Sequence, residues 1–467
     1  MYKRSIFFVL VICILWSLSA CKKFLTVAPA STNVNPVAIK DFQEMLNSDS
    51  LSSCHYFLFD VMSDDLTMTD AQLAATANYY QRSYMWQSLI WNPSDADVAY
   101  NSSYTRILQM NIILDRINSA PINADNTEQS KNLVISQALI NRAWYYLQLV
   151  NAYGPAYDRN TATTDLAVPL VTTANNSALP SRATVAQVYS QIINDLKRAV
   201  SNPNLTSKGV DIIHPGKASG YALLARAYLY QGDYTNASNY ADSVLATQSA
   251  LVSYSSTSYV KLTQLADLAS NPETLLGRVT IDLAFYSFYT TSIMPSSTLT
   301  STLTTSDLRF SKVFTSASRY SPPTYYVAGG NSMIFDNSVG VPEVMLIKAE
   351  CLARAGNAAD AGTLITRIRK ARLSDYAFSI ENRTYTAANI LGYVLDERRR
   401  ELFYHGGLRL FDLKRLNKEA GQQKDITRLS SSTGSVIATL PAGSPLYLVP
   451  FSPTVIAANP NIVQNPR

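Results

Sequence analysis

Histidine and cysteine are scarce in this chain, with three and four copies respectively among 467 residues. Histidine is the side chain that titrates near neutrality and the commonest metal ligand, so its scarcity argues against acid–base and metal chemistry. His405, beside Gly406 and Gly407, reads as a cap or turn residue, and His55 and His214 read as equally isolated. Cys13 and Cys21 fall in the N-terminal segment considered below, which leaves Cys54 and Cys351 and excludes a disulfide framework. Whether those two pair stays open at this stage. Cys351 shares an apolar stripe with Val344, Ile347 and Ala355, as a buried, inert thiol would. Charge is sparse as well. Only 16% of residues are charged and the formal balance is +5, too small to indicate a nucleic-acid partner. There is no H-E-x-x-H, no G-x-S-x-G, no Walker loop, no paired C-x-x-C and no Rossmann glycine fingerprint. No catalytic residue, cofactor or metal is implied.

Long apolar runs are missing too, with one exception. Ser5 to Leu18 is apolar or small throughout and follows the basic Lys3 and Arg4, the layout of a secretory signal peptide over residues 1–20. It is shorter than the ~20 residues a membrane-spanning helix needs. Leu18-Ser19-Ala20-Cys21 resembles a bacterial lipobox, in which the thiol after the cut receives a diacylglycerol; the bland alternative is a secreted protein with an incidental cysteine. Cys21 is therefore expected to be the lipid attachment site, anchoring the chain to a membrane by its acyl chains.

What the chain has is apolar periodicity and tyrosine: 47% of residues are hydrophobic and 29 are Tyr. Its length suggests two or three domains or one large one. Met110, Ile113, Leu114 and Ile117, then Ile140, Ala143, Trp144 and Leu147, and then Val185, Val188, Tyr189, Ile192 and Leu196 follow the helical period. Thr184 with Gln187 forms a capping box before the third stripe. Ala227-Tyr228, Gly232, Tyr234 and Ala237 resemble a tetratricopeptide repeat, and Gly356 with Ala361 repeats its glycine-to-alanine spacing. Between Ser249 and Val341 the composition turns to Ser, Thr, Tyr and Pro with little period, apart from strand-like pieces such as Arg278 to Leu283. The expected fold is mainly α: a tetratricopeptide-like helical-hairpin scaffold with a loop-rich insertion and little β. Its expected parts are residues 21–248, the insertion 249–341, and a C-terminal helical part 342–467.

A series of short motifs runs through this frame. It begins with Cys21-Lys22-Lys23-Phe24-Leu25 and Pro29, and continues through Trp86, Tyr104-x2-Ile107-x3-Asn111, Tyr153-Gly154 and Val168-Pro169-Leu170-Val171. Pro180-x-Arg182-x-Thr184-Val185, Lys217-Ala218, Pro342-Glu343, Ala349-Glu350 and Ile368-Arg369-x-Ala371-Arg372 follow. Glu397-Arg398-Arg399-Arg400-Glu401-Leu402, Arg409-x2-Asp412-Leu413-x-Arg415, Asn459-Pro460-Asn461 and Gln464-Asn465-Pro466 close it. In this order they resemble the SusD/RagB family, outer-membrane lipoproteins of Bacteroidetes that bind nutrients, usually glycans. The resemblance covers nearly the whole chain. It implies a place on the outer-membrane surface and a SusC-like TonB-dependent transporter as partner. One departure is Tyr404-His405-Gly406-Gly407-Leu408, where the family usually has a Glu-Gly pair. The closing charges read as an ion-paired helix seam, with Glu397 and Glu401 meeting Arg side chains three or four residues away and Arg409 pairing Asp412.

Three function classes remain. Sugar rings stack their C–H faces on aromatics and offer hydroxyls to planar polar groups, so loops rich in Tyr, Asn, Asp and Arg suit a non-catalytic glycan- or oligosaccharide-binding protein. The candidate ligand-binding residues are Asp64, Asp65, Tyr79, Tyr80 and Arg82 in the first loop region, with Tyr286, Tyr289, Tyr325 and Tyr326 in the insertion. Trp86 is assigned to the core. A protein-binding repeat scaffold is the second reading. A glycoside hydrolase using Asp64 and Asp65 is the third, disfavoured because adjacent residues point apart and do not face one substrate.

Overall fold

Helices Val98–Arg116 (α1), Glu128–Tyr153 (α2), Val185–Val200 (α3), Lys217–Tyr230 (α4) and Tyr234–Leu245 (α5) precede the insertion. Val341–Arg354 (α6), Ala358–Arg372 (α7), Ile390–Glu401 (α8) and Leu408–Leu416 (α9) follow it. The computed structural model describes residues 36–75, 78–175, 177–256, 259–260, 264–280, 294–304, 306–317, 324–327, 335–381 and 383–467. The leader, Cys21, Tyr286 and Tyr289 lie outside them. Among the described residues no helix is long and apolar enough to cross a membrane.

From α1 to α8 each helix packs on the next, and α5 packs directly on α6 although more than ninety residues separate them in sequence. The helical parts on either side of the insertion therefore share one hydrophobic core. α2 forms its axis. Every residue from Val134 to Tyr153 is buried, as expected of a helix surrounded by others rather than lying on a surface. The stripe Val185, Val188, Tyr189, Ile192 and Leu196 is buried on α3, whose start carries the expected box: Gln187 N–H donates to Thr184 Oγ1 at 3.2 Å and Thr184 N–H to Gln187 Oε1 at 2.9 Å. The two repeat-like hairpins α4/α5 and α6/α7 both turn through a left-handed glycine, Gly232 at φ 71° and Gly356 at φ 79°. Ala237 and Ala361 are fully buried at the close helix crossings that follow.

β structure is minor. Among the described residues it comprises one three-stranded and five two-stranded sheets. Of the strand expected over Arg278 to Leu283, Val279–Thr280 forms, between Ser53–Cys54 and Phe335–Asp336. Several motif residues act as clasps on irregular backbone. Asn111 donates to the carbonyls of Val171 and Thr173, both at 3.0 Å, and Tyr146 donates to Val171 O at 2.7 Å. Arg182 donates to Asn465 Oδ1 at 2.7 Å, and the Asn465 amide donates to Tyr153 O at 2.9 Å and Val449 O at 2.7 Å. Trp86 is in the core, its indole N–H on Met62 O at 2.9 Å. Cys54 and Cys351 are buried, free and unpaired, and burial pushes both thiols up to about 12.

The charged seam exists with different partners. Arg400 pairs with Glu397 along α8 at 2.8 Å, as the spacing predicts. Arg409 instead reaches Asp64 at 2.7 Å, while Asp412 is held by Arg398 at 2.7 Å and Arg415 at 2.8 Å. Glu397 also takes Arg309 and Arg369, each at 2.8 Å, and Glu401 takes Arg309 at 2.8 Å and Arg372 at 2.7 Å. Spacing along a helix names the pairs a helix can make alone. Here tertiary neighbours outcompete them, because a buried guanidinium needs a carboxylate wherever one is offered.

Candidate functional site

The described sequence-predicted residues fall into three sets. Asp64 and Asp65 are buried. Asp64 receives Arg409 through two hydrogen bonds, at 2.7 and 2.9 Å, and Lys424 at 2.9 Å; Asp65 receives Arg399 at 2.8 Å. Burial opposes both charges, but for Asp64 the adjacent Arg409, Arg399 and Lys424 win and hold its carboxyl below the usual range. For Asp65 burial wins and its pKa rises. The pair thus joins the first loop region to the start of α9 through Asp64 and to the end of α8 through Asp65.

Tyr79, Tyr80 and Arg82 lie on the short helix Tyr79–Tyr84. Tyr80 is buried 6.2 Å from Phe57, and half-buried Tyr79 lies 5.1 Å from Trp91. Arg82 donates to Ile90 O at 2.6 Å and pairs with Asp95 at 3.2 Å. Tyr325 and Tyr326 are on strand Thr324–Val327, opposite Ser316 and Thr315. That strand lies against Met294–Pro295, which pairs with Leu66–Thr67 directly after Asp64 and Asp65. The backbone of the insertion is thereby brought to the first loop region.

A cavity of about 200 Å3 opens where the insertion meets the end of α8. Its aromatic lining is Tyr254, Tyr259, Phe335, Phe403 and Tyr404. Tyr254 and Tyr259 have ring centroids 4.5 Å apart; Arg372 lies 4.3 Å over the first ring and Lys312 5.5 Å over the second. Phe335 and Phe403 each meet Tyr404 edge-on, at 5.6 and 5.4 Å. Polar groups converge on the same space: Asp267, Asn271, Glu273, Lys312, Asp336 and His405. Glu273 takes Arg372 at 2.9 Å and the Val252 N–H at 2.7 Å, yet burial raises its pKa. His405 Nε2 donates to Ser338 O at 2.8 Å.

His214 is not isolated, since Nδ1 lies 2.8 Å from Asp211 and Nε2 3.0 Å from Asn47 Oδ1. The turn that departs from the expected pattern is held through its main chain. Gly407 N–H donates to buried Asp60 at 2.8 Å, through a backbone with φ positive at Tyr404, Gly406 and Gly407. Among the described residues no three of His, Cys, Asp and Glu are grouped to hold a metal ion.

Tyr254, Tyr259 and Lys312 escape a sequence reading. Both tyrosines sit in a Ser/Thr run that looks like uniform loop, and their cationic partners come from residues 312 and 372.

Comparison with known proteins decides the family. Residues 23–229 match a family model described as "Starch-binding associating with outer membrane", and residues 341–467 match the model of the SusD family. This chain belongs to the SusD family. The gap between the two matches is nearly the loop-rich insertion, and proteins of the SusD family associate with the outer membrane. A SusD superfamily protein from Bacteroides thetaiotaomicron is 22% identical with a TM-score of 0.73, covering 92% of this chain and 100% of that one. A SusD-like carbohydrate binding protein from Bacteroides vulgatus is 18% identical at TM-score 0.70, covering 91% and 98%. Surface glycan-binding protein A from Bacteroides uniformis is 16% identical at TM-score 0.67, covering 91% and 99%. At these identities the likeness is one of fold, and it confirms the mainly helical SusD-like architecture. No curated protein matches the sequence.

Proposed function

We propose that this protein is a non-catalytic lipoprotein of the outer-membrane surface, anchored through Cys21. In this reading it binds a glycan and hands it to a SusC-like TonB-dependent transporter. The observation that carries the reading is the cavity between the insertion and α8. It combines the part-buried aromatic side chains Tyr254, Tyr259 and Phe403 with polar and charged groups of both signs, the two features a sugar ring demands. Its volume lies below the roughly 300–1,000 Å3 of sites that enclose a whole ligand, which suits one ring or the end of a longer chain. Residues 249–341 are then the ligand-presenting part of a rigid scaffold, and Tyr286, Tyr289, Tyr325 and Tyr326 are further candidate contacts to the glycan. A hydrolase needs two carboxylates across one bond, whereas Asp64 and Asp65 are both occupied by arginine. That favours binding without turnover.

The test uses the chain without its leader on an affinity gel of starch and of other glycans. Wild type should be retarded by at least one of them, and Tyr259→Ala with Asn271→Ala should lose most of the retardation while keeping the helical circular-dichroism signal. Release of reducing ends from a retained glycan would overturn the non-catalytic reading, and unchanged retardation of the double variant would displace the site.

A further inference from the structure

A second cavity, of about 530 Å3, lies among the end of α9, the segment after α2 and the C-terminal closing segment, and it shares no lining residue with the first. Two buried cations line it, Lys414 and Arg182. Lys414 Nζ donates to the main-chain carbonyls of Asn151 and Gly154 at the end of α2. Arg182 donates to the carbonyls of Ala167, Leu166 and Val463 and to Asn465 Oδ1. Among the described residues neither meets a carboxylate. Elsewhere buried Arg142, Arg226, Arg309, Arg398 and Arg415 all do. Arg278 and Arg428 are also held by neutral groups, but neither lines either of these two cavities.

A third group points the same way. Asn417 is 8% exposed and lines the cavity. Its Oδ1 accepts the Lys424 N–H at 2.9 Å, while its Nδ2 makes no hydrogen bond of normal geometry, its nearby acceptor being the Tyr447 hydroxyl on the same wall. A buried donor left unpaired is costly and calls for an acceptor. Residues 414, 417 and 418 share one face at the end of α9, and all three line the cavity. An ammonium has three N–H bonds, and carbonyls take two of those on Lys414. The carboxylate on the wall is Asp165, already accepting the Thr161 hydroxyl at 2.6 Å, and Lys418 is paired outside with Asp158 at 3.1 Å. Around this polar floor the mouth is aliphatic, with Leu166 38% and Val463 64% exposed.

We propose that this cavity is a second ligand site, for a carboxylate-bearing sugar of the hexuronate class. The acid group would accept from Lys414 and Asn417 while the ring fills the aliphatic mouth. The volume falls within the roughly 300–1,000 Å3 that ligand sites occupy, more than a bare carboxylate would fill. Burial without a counter-ion pushes the Lys414 ammonium down to about 7 and the Arg182 guanidinium down to about 10, which agrees with positive charge awaiting a partner.

Calorimetric titration of the leaderless chain with glucuronate, glucose and sulfate tests this. Glucuronate should bind at least tenfold more tightly than glucose or sulfate. Asn417→Leu should weaken it at least tenfold. Lys414→Met should do the same, but it also uncaps α2, so Val463→Trp on the exposed rim is the decisive variant: it blocks the mouth and leaves the core untouched. Tyr259→Ala in the other cavity should leave glucuronate affinity unchanged. Equal affinity for glucuronate and glucose, no binding of glucuronate, or full binding by a folded Val463→Trp protein would overturn the proposal. Sulfate binding as tightly as glucuronate would overturn the carboxylate assignment.

Discussion

Gly232 and Gly407 both adopt positive φ, yet they answer to different demands. A Cβ at Gly232 would meet nothing within 4 Å, whereas at Gly407, with φ 86°, it would stand 2.5 Å from Phe59 Cβ. Gly232→Ala should therefore cost only the left-handed strain, about 1–2 kcal/mol. Gly407→Ala should cost a further 1–3 kcal/mol or so from overpacking. Urea midpoints of the two variants rank them. Asp97 is a second residue with a readable cost. It is buried, accepts the Tyr153 hydroxyl at 2.7 Å, and burial raises its pKa to about 6. The folded state thus holds a proton between about pH 4 and 6 that the unfolded chain, with an ordinary carboxyl, releases. By linkage this contribution to stability falls as pH rises through that window. Asp97→Asn keeps the helix-capping oxygen and should flatten the melting temperature between pH 4 and 6 relative to wild type.

Among the elements, α8 combines the most polar sequence with deep burial of charge. Glu397 is fully buried and held by Arg309, Arg369 and Arg400. Burial opposes its charge, but the three arginines hold its pKa below the usual range. Such a depressed carboxyl stabilises the fold at neutral pH, and that contribution is lost progressively as pH falls below about 4 toward its depressed folded-state value. Removing one member of a buried ion group costs about 3–5 kcal/mol. Glu397→Gln should lower stability by that order at pH 7, with a smaller penalty at pH 3, read from denaturant titrations at both pH values. The helices themselves were legible from their periodicity. The hairpins α4/α5 and α6/α7 were legible from glycine spacing, since a left-handed turn between antiparallel helices leaves few residue choices. The partners of the α8 charges were not, because Asp65, Arg309, Arg369 and Arg372 arrive from other segments of the chain.

At the scale of the molecule, the C-terminal segment closes the structure onto its axis helix. Asn465 satisfies Arg182 and two main-chain carbonyls at once. Asn465→Ala removes the amide donor from the two carbonyls and one acceptor from Arg182, at about 1–3 kcal/mol for each buried carbonyl where no water replaces the amide. Thermal melts should show the loss in the single cooperative transition of the whole chain, because the clasp joins the end of α2, the Arg182 strand and the terminus. Independent melting of the closing segment would contradict that account.

Read alone, the residues determined the helical class, the hairpin turns, the polar insertion, the buried fate of Trp86 and Cys351, and, through ordered motifs, the SusD family. Each is a local property: a period, a turn residue, a composition or a short spacing survives in one dimension. Tertiary structure alone decided where the candidate site lies. Asp64 and Asp65 look available in sequence because their arginines stand more than 330 residues away. Tyr254 and Tyr259 look like loop filler until Lys312 and Arg372 are placed over their rings. The cation-lined cavity exists only where residues 182, 414–418 and 463–466 meet. A cavity is the space left between distant segments, and no single segment carries its pattern.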